Sequence, residues 1–168
     1  MTEPKRTEER ILGSLLEADG RAIIHVEDVY PTDVDDLWDA VSRPERLKRW
    51  LVTVEGDLRV GGSFTASFTS GWEGTGRVDV CEAPHRLVVT TFGNPDETVM
   101  EAILTTEGDG TRLVIEERGI LLEDAPFHGA GWQAHIEDLA LYLGGKDTSN
   151  WEDRWKSLLP TYQGLKIR

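Results

Sequence analysis

Pro126–Gly145 reads PFHGAGWQAHIEDLALYLGG, and the reading of this stretch decides the fold. Trp132, Ile136, Leu139 and Leu143 recur at spacings of four, three and four, which puts them on one face of a long helix. Gly144 and Gly145 supply the stop. A lone long helix that follows a run of antiparallel strands buries its apolar stripe on one face of their sheet.

Working outward toward the N-terminus, the segments ahead of this helix read as strands with turns between them. Glu97–Thr106 and Thr111–Gly119 form a hairpin closed by EGDG at Glu107–Gly110. Arg86–Phe92 carries the β-prone run LVVTTF, with turns predicted on either side, at Ala83–His85 and Gly93–Asp96. Gly74–Glu82 and Ser63–Thr69 are predicted strands. In the latter, Phe64, Ala66 and Phe68 alternate with small polar residues. Thr53–Val60 holds one further short strand. Before it, Thr32 or Asp33 can cap a short helix through Val41, and PERLKRWL at Pro44–Leu51 opens a second one on its proline. Arg21–Tyr30 is the first strand of the predicted sheet. Glu9–Glu17, with Ile11, Leu12, Leu15 and Leu16, reads as a short helix, and residues 1–8 as loose polar chain.

Beyond the long helix, NWEDRWKSLL in the tail is an extra helix that Pro160 should end. Its two tryptophans, Trp151 and Trp155, must dock on this chain or on a second copy, so a homodimer is one expected state. The chain thus divides into an extension at 1–20, a domain at 21–145 and a tail at 146–168.

The formal net charge of −13 repels nucleic acid and anionic lipid, and neither is an expected partner. Cys81 is the single cysteine, which rules out an intrachain disulfide and a cysteine metal cluster. No apolar run approaches the roughly 20 residues of a membrane span. The default expectation is a cytoplasmic protein without a cofactor.

The order of elements and six short motifs resemble a known family. The motifs are Trp38-Asp39-Ala40, PERLKRWL at Pro44–Leu51, Gly61-Gly62-Ser63-Phe64, Pro84-His85-Arg86-Leu87, GDGTRL at Gly108–Leu113, and GW followed by a leucine-patterned helix at Gly131–Leu143. Together they resemble the START-like (SRPBCC) superfamily and, within it, the family related to the C-terminal domain of the heat-shock-protein-90 ATPase activator, in its bacterial single-domain form. The resemblance implies an α+β helix-grip fold. A curved antiparallel sheet of six to seven strands wraps a long C-terminal helix, with two short helices after the first strand. It also implies an apolar cavity between sheet and helix that takes a small hydrophobic molecule. Strand alternation and the helix stripe then suggest the lining: Phe64, Phe68, Val78, Val89, Met100, Ala102, Leu104, Leu113, Ile115, Trp132 and Ile136. A register error of one residue would invert every strand assignment.

If Leu113 and Ile115 face inward, period two turns Glu117 inward as well. His128 and His135 border the same helix face. One carboxylate and two imidazoles beside an apolar pocket could orient a ligand or transfer protons. The competing reading leaves Glu117 at a solvated strand end beside Arg118 or Arg112, and the histidines half exposed on the helix flank. His25 is a weaker candidate. The histidine spacing matches no zinc motif, so no metal site is expected. The sequence contains no nucleophile elbow and no phosphate-binding glycine loop followed by a helix. Trp72 at the Ser70-Gly71 turn is either a gate over the cavity or a surface aromatic. Arg43, Arg46, Lys48 and Arg49 read as a solvated helix face.

Three functions are compatible with these observations. The first is a module that binds a small hydrophobic ligand. The second is an enzyme of cyclase, dehydratase or hydrolase type acting on a hydrophobic substrate, with Glu117 and His135 as the pair to mutate. The third is a co-chaperone, by analogy with the eukaryotic activator, whose additional N-terminal domain the 20 residues here are too short to match. The first is the reading preferred here.

Overall fold

The computed structural model describes residues 10–93 and 97–168. The loose segment expected at 1–8 and most of the turn expected at Gly93–Asp96 lie outside those residues. Eight antiparallel strands form one sheet in the order β1-β2-β8-β7-β6-β5-β4-β3. They are β1 (Gly13–Ala18), β2 (Arg21–Tyr30), β3 (Val52–Gly56), β4 (Ser63–Phe68), β5 (Glu73–Glu82), β6 (Arg86–Phe92), β7 (Glu97–Glu107) and β8 (Gly110–Ile120). Helices α1 (Val34–Ser42) and α2 (Pro44–Leu47) interrupt the sheet after β2. A single 3-10 turn at Leu122–Asp124 leads into α3 (Ala125–Leu143), and α4 (Trp151–Gln163) follows. The fold is α+β, a curved sheet gripping one long helix.

The first strand is a correction to the sequence reading, which expected a helix over Glu9–Glu17. Gly13–Ala18 instead pairs with β2, placing Leu15 opposite Ile24 and Ala18 opposite Arg21. The two-residue turn between them decides this. Asp19 (φ 53°) and Gly20 (φ 78°) both take positive φ, the geometry that joins two twisted strands most tightly. The apolar run Ile11–Leu16 fits either period, and the turn chemistry selects the strand. The same hairpin raises the sheet to eight strands from the six to seven expected. The chain's end then covers the outer edge of β1: Arg168 N–H donates to the Leu15 carbonyl at 2.9 Å, and Glu17 N–H to the Arg168 carbonyl at 2.7 Å. An edge so occupied offers fewer free groups to another chain.

Asp33 is the N-cap of α1, its Oδ1 accepting the Asp36 N–H at 2.8 Å; such a cap contributes about 1 kcal/mol. α2 is one turn, shorter than the PERLKRWL stretch suggested. Trp50 beyond it is buried, with its Nε1–H on the Ala40 carbonyl at 2.9 Å. Arg46 is not a solvated residue: its guanidinium bridges Asp36 (2.8 Å) and the Tyr142 hydroxyl (2.9 Å), tying the short helices to α3.

α3 is buried on nearly every side between Gly129 and Leu139. Trp132, Ile136 and Leu139 face the core as the stripe requires, each such burial being worth about 1.5–3 kcal/mol. The opposite side, with Gly129, Ala130 and Gln133, lies under α4 and β1. α4 runs through Pro160 to Gln163, where the proline was expected to end it. Pro160 forfeits the one backbone hydrogen bond its missing N–H would make to the carbonyl four residues back. The burial of Tyr162 just beyond it offsets the loss: its ring fits between Gly13 and Gly129, and its hydroxyl donates to Gln133 Oε1 at 2.5 Å. The tail therefore packs in cis, and the tryptophans that suggested pairing of two copies are used within the chain.

Candidate functional site

Sheet register builds the floor of the site. Ile24, Glu117, Met100, Val89 and Val78 stand opposite one another across five strands, as do Thr98 and Thr91 in the next row. Directly paired residues share a face. The row that carries Val78 and Met100 therefore turns Glu117 inward, as period two from Leu113 and Ile115 requires. All three of those β8 residues are buried.

Above this floor lies a cavity of about 750 Å³, partly open to solvent. β4 and the turn after it contribute Phe68, Thr69, Ser70, Gly71 and Trp72; β6 and β7 contribute Thr91, Thr98 and Met100; β8 contributes Glu117. α3 adds Phe127, His128, Trp132 and His135, and α4 adds Trp151, Glu152 and Trp155. Of the lining expected from the sequence, Phe68, Met100 and Trp132 border this space. Phe64, Val78, Leu104, Leu113, Ile115 and Ile136 are instead packed solid in the core, and Val89 and Ala102 pack against that core without reaching the cavity. Period two assigns their face correctly. It does not tell where along the strands the helix lies directly on the sheet and where it stands clear. Thr91, Thr98, Phe127, Trp151 and Trp155 are lining residues the sequence reading missed. The only signal was the pair of tail tryptophans, which demanded a docking place without naming it.

Glu117 is the polar centre. Its Oε1 accepts His128 Nδ1–H at 2.8 Å and Trp132 Nε1–H at 3.2 Å, and its Oε2 lies 3.5 Å from the donating Thr98 hydroxyl, itself 2.7 Å from Thr91 Oγ1. A carboxylate only accepts, so the proton on His128 Nδ1 points at Glu117, and Nε2 of this cavity-lining ring has no hydrogen-bond partner among the described residues. Burial pulls the His128 pKa down, but the hydrogen bond and charge of Glu117, with Asp124 behind, outweigh it and raise the pKa above its ordinary value. The pairing is with His128 and not with His135. Seven residues on a helix separate the two imidazoles by about 10 Å along the axis, and only the first lies over Glu117.

His135 is buried among aromatic rings. Its ring meets Trp151 (centroids 5.3 Å apart, stacked), Trp132 (5.6 Å, edge-on) and Phe68 (6.2 Å), and Nδ1 lies 3.5 Å from the Thr69 hydroxyl. Burial without a charged partner lowers its pKa to about 3, so the ring is neutral. His25 is on the opposite face of the sheet beside Glu27 and Glu116. Among the described residues, no three His, Cys, Asp or Glu side chains converge as metal ligands.

One wall is made by the tail. Trp151 stacks on Trp155 at 5.8 Å, and Trp155 lies 6.2 Å from Phe127. Trp151 Nε1–H donates to the Gly131 carbonyl (3.3 Å) and Trp155 Nε1–H to that of Phe127 (2.9 Å). Arg154 forks onto both Glu137 oxygens at 2.5 and 2.9 Å, and Asp138 accepts the Ser149 N–H and hydroxyl. Trp72 borders the cavity, edge-on to Phe68 at 5.5 Å, and packs close to Gly74 and Gly93, where a Cβ would lie 2.5 and 2.9 Å from its ring. No helix of the described chain is long and apolar enough to cross a membrane.

Comparison with known proteins places this architecture. Residues 31–144 match the family described as activator of Hsp90 ATPase homolog 1-like protein. No curated protein sequence matches the chain. Among solved structures, CalU16 from Micromonospora echinospora superposes with a TM-score of 0.77 at 24% identity, over 91% of this chain and 94% of that one. DynU16, a protein of the dynemicin biosynthetic locus, gives 0.69 at 26% identity over 75% of this chain, which spans 49% of DynU16. An HSP90 activator from Plasmodium falciparum, PFC0360w, gives 0.59 at 21% identity over 73% and 96%. These likenesses establish the fold, and the match over more than half of its length shows that the chain belongs to the activator of Hsp90 ATPase homolog 1-like family.

Proposed function

We propose that this protein binds a small, flat, largely apolar organic molecule in the cavity between sheet and long helix. The observation that carries this reading is the cavity itself, about 750 Å³ and walled by Phe68, Trp72, Phe127, Trp132, Trp151 and Trp155. That volume is in the range of ligand pockets, and stacked aromatic walls favour a planar guest. The likeness to DynU16, a protein of a biosynthetic locus, agrees with a small organic ligand.

An enzyme acting on such a molecule is the second reading. What favours it is the Glu117–His128 pair at the cavity floor, two of the three polar candidates named from the sequence.

Tryptophan fluorescence tests the binding reading, because four of the six tryptophans line the cavity. Titration with a planar aromatic probe such as 7-methoxycoumarin should quench emission saturably at one site per chain. A linear, unsaturable response identical to that of free tryptophan would reject it. Native mass spectrometry of the purified protein gives a second test: a co-purifying small molecule would name the chemical class.

A further inference from the structure

We propose that the cavity selects ligands bearing an acidic hydroxyl, a phenol or enol, and that His128 Nε2 is the group that receives its proton. The proposal rests on the binding reading above and deepens it. The geometry is that of a proton acceptor held in one orientation. Glu117 fixes His128 through Nδ1 at 2.8 Å and is itself held by Trp132 Nε1–H and Thr98. His128 Nε2 has no hydrogen-bond partner among the described residues, and the ring borders the cavity with 39% of its side chain accessible. With Nδ1 carrying the hydrogen that Glu117 accepts, the lone pair of a neutral imidazole is at Nε2.

A ligand hydroxyl seated at Nε2 gives up its O–H bond, and the proton forms a new N–H bond at Nε2. The electron pair stays on the oxygen as phenolate or enolate. The imidazolium so formed lies between two anions, the ligand oxygen and Glu117, and the total charge of the site is unchanged. Glu117 stabilises the charged ring, and the same influence raises the pKa of His128 above its ordinary value. The other ionisable groups bordering the cavity are Asp124 from the 3-10 turn, which favours the imidazolium, Glu152 from α4, and His135, which stays neutral. Stacking on the tail tryptophans supplies affinity, and the single oriented nitrogen supplies selection. A site built to pair with a hydroxyl discriminates far more strongly against its absence than an apolar wall can.

The test uses 7-hydroxycoumarin and its methyl ether, 7-methoxycoumarin, as probes on the full chain. The hydroxyl compound should bind about tenfold more tightly or better, a difference of about 1.4 kcal/mol, and should show the longer-wavelength absorption of its anion when bound below its solution pKa. In His128→Gln the preference, taken as the ratio of the two affinities in that variant, should fall to within about twofold. In Glu117→Gln the hydroxyl compound should still bind but lose the anion band. Both variants are checked by thermal unfolding, and methoxycoumarin binding shows that the cavity survives. Equal affinity of the wild-type protein for the two probes, or a preference unchanged in His128→Gln, overturns this proposal and leaves the binding reading standing. Failure of both probes to bind the wild-type chain overturns the two together.

Discussion

The Trp151 indole of the tail stacks on the His135 imidazole of the long helix, ring centroids 5.3 Å apart and planes at 30°. The contact joins a segment outside the family match at 31–144 to the centre of the fold, and it seals a titratable ring among aromatics. Its consequence is acid lability. The folded pKa of about 3 lies below the ordinary 6.5. Between those values the unfolded chain binds a proton that the folded one refuses. Stability is therefore lost as pH falls from about 6.5 toward 3, by up to about 4 kcal/mol. His135→Phe should remove this slope while keeping the stack. Urea denaturation at pH 7 and pH 4 measures it, and an equal loss in both proteins would refute the assignment.

His128 titrates with the opposite sign. Its folded pKa is raised, so its ion pair with Glu117 contributes stability that is full below the unfolded pKa and lost as pH rises through the folded value. In Glu117→Gln, burial remains while the partner charge is gone, and the His128 pKa should drop below 6.5. An NMR titration of the imidazole C–H resonances reads this directly; an unmoved His128 pKa would show that Glu117 is not its partner in solution.

The tail should be required for stability. Gly129→Ala places a methyl 2.6 Å from the Tyr162 ring and 3.1 Å from Leu15, and should destabilise by about 1–3 kcal/mol. Tyr162→Phe removes one of the hydrogen bonds at Gln133 and should cost about 1 kcal/mol. Thermal unfolding of the two variants provides the check. Wild-type stability in Gly129→Ala would mean that α4 stands off α3 in solution.

Trp155→Ala should weaken binding of planar aromatic probes about tenfold, since stacked aromatic contacts are worth about 0.5–1.5 kcal/mol beyond their buried area. Thermal stability should fall by no more than about 1–2 kcal/mol, because this partly buried ring packs on the margin of the core and walls the cavity. Calorimetric titration of the variant distinguishes this from the reverse pattern, in which stability falls and binding stays.

Much of this protein follows from its sequence alone. Alternation along β4 and β8 determines which side chains face inward, Glu117 included, because the side-chain period of a strand is two whatever packs on it. The spacing of Trp132, Ile136 and Leu139 marks the buried face of α3, and Asp33 the start of α1, because both are local relations within a few residues. Tertiary structure alone decided the rest. The run Ile11–Leu16 suits a helix or a strand until β2 is there to pair with it. Whether His128 or His135 meets Glu117 depends on how far α3 slides along the sheet, set by bulky side chains from five strands at once. The cavity exists only where the helix stands clear of β6, β7 and β8, and a tail distant in sequence closes its side. No period along the chain records the height of one layer above another.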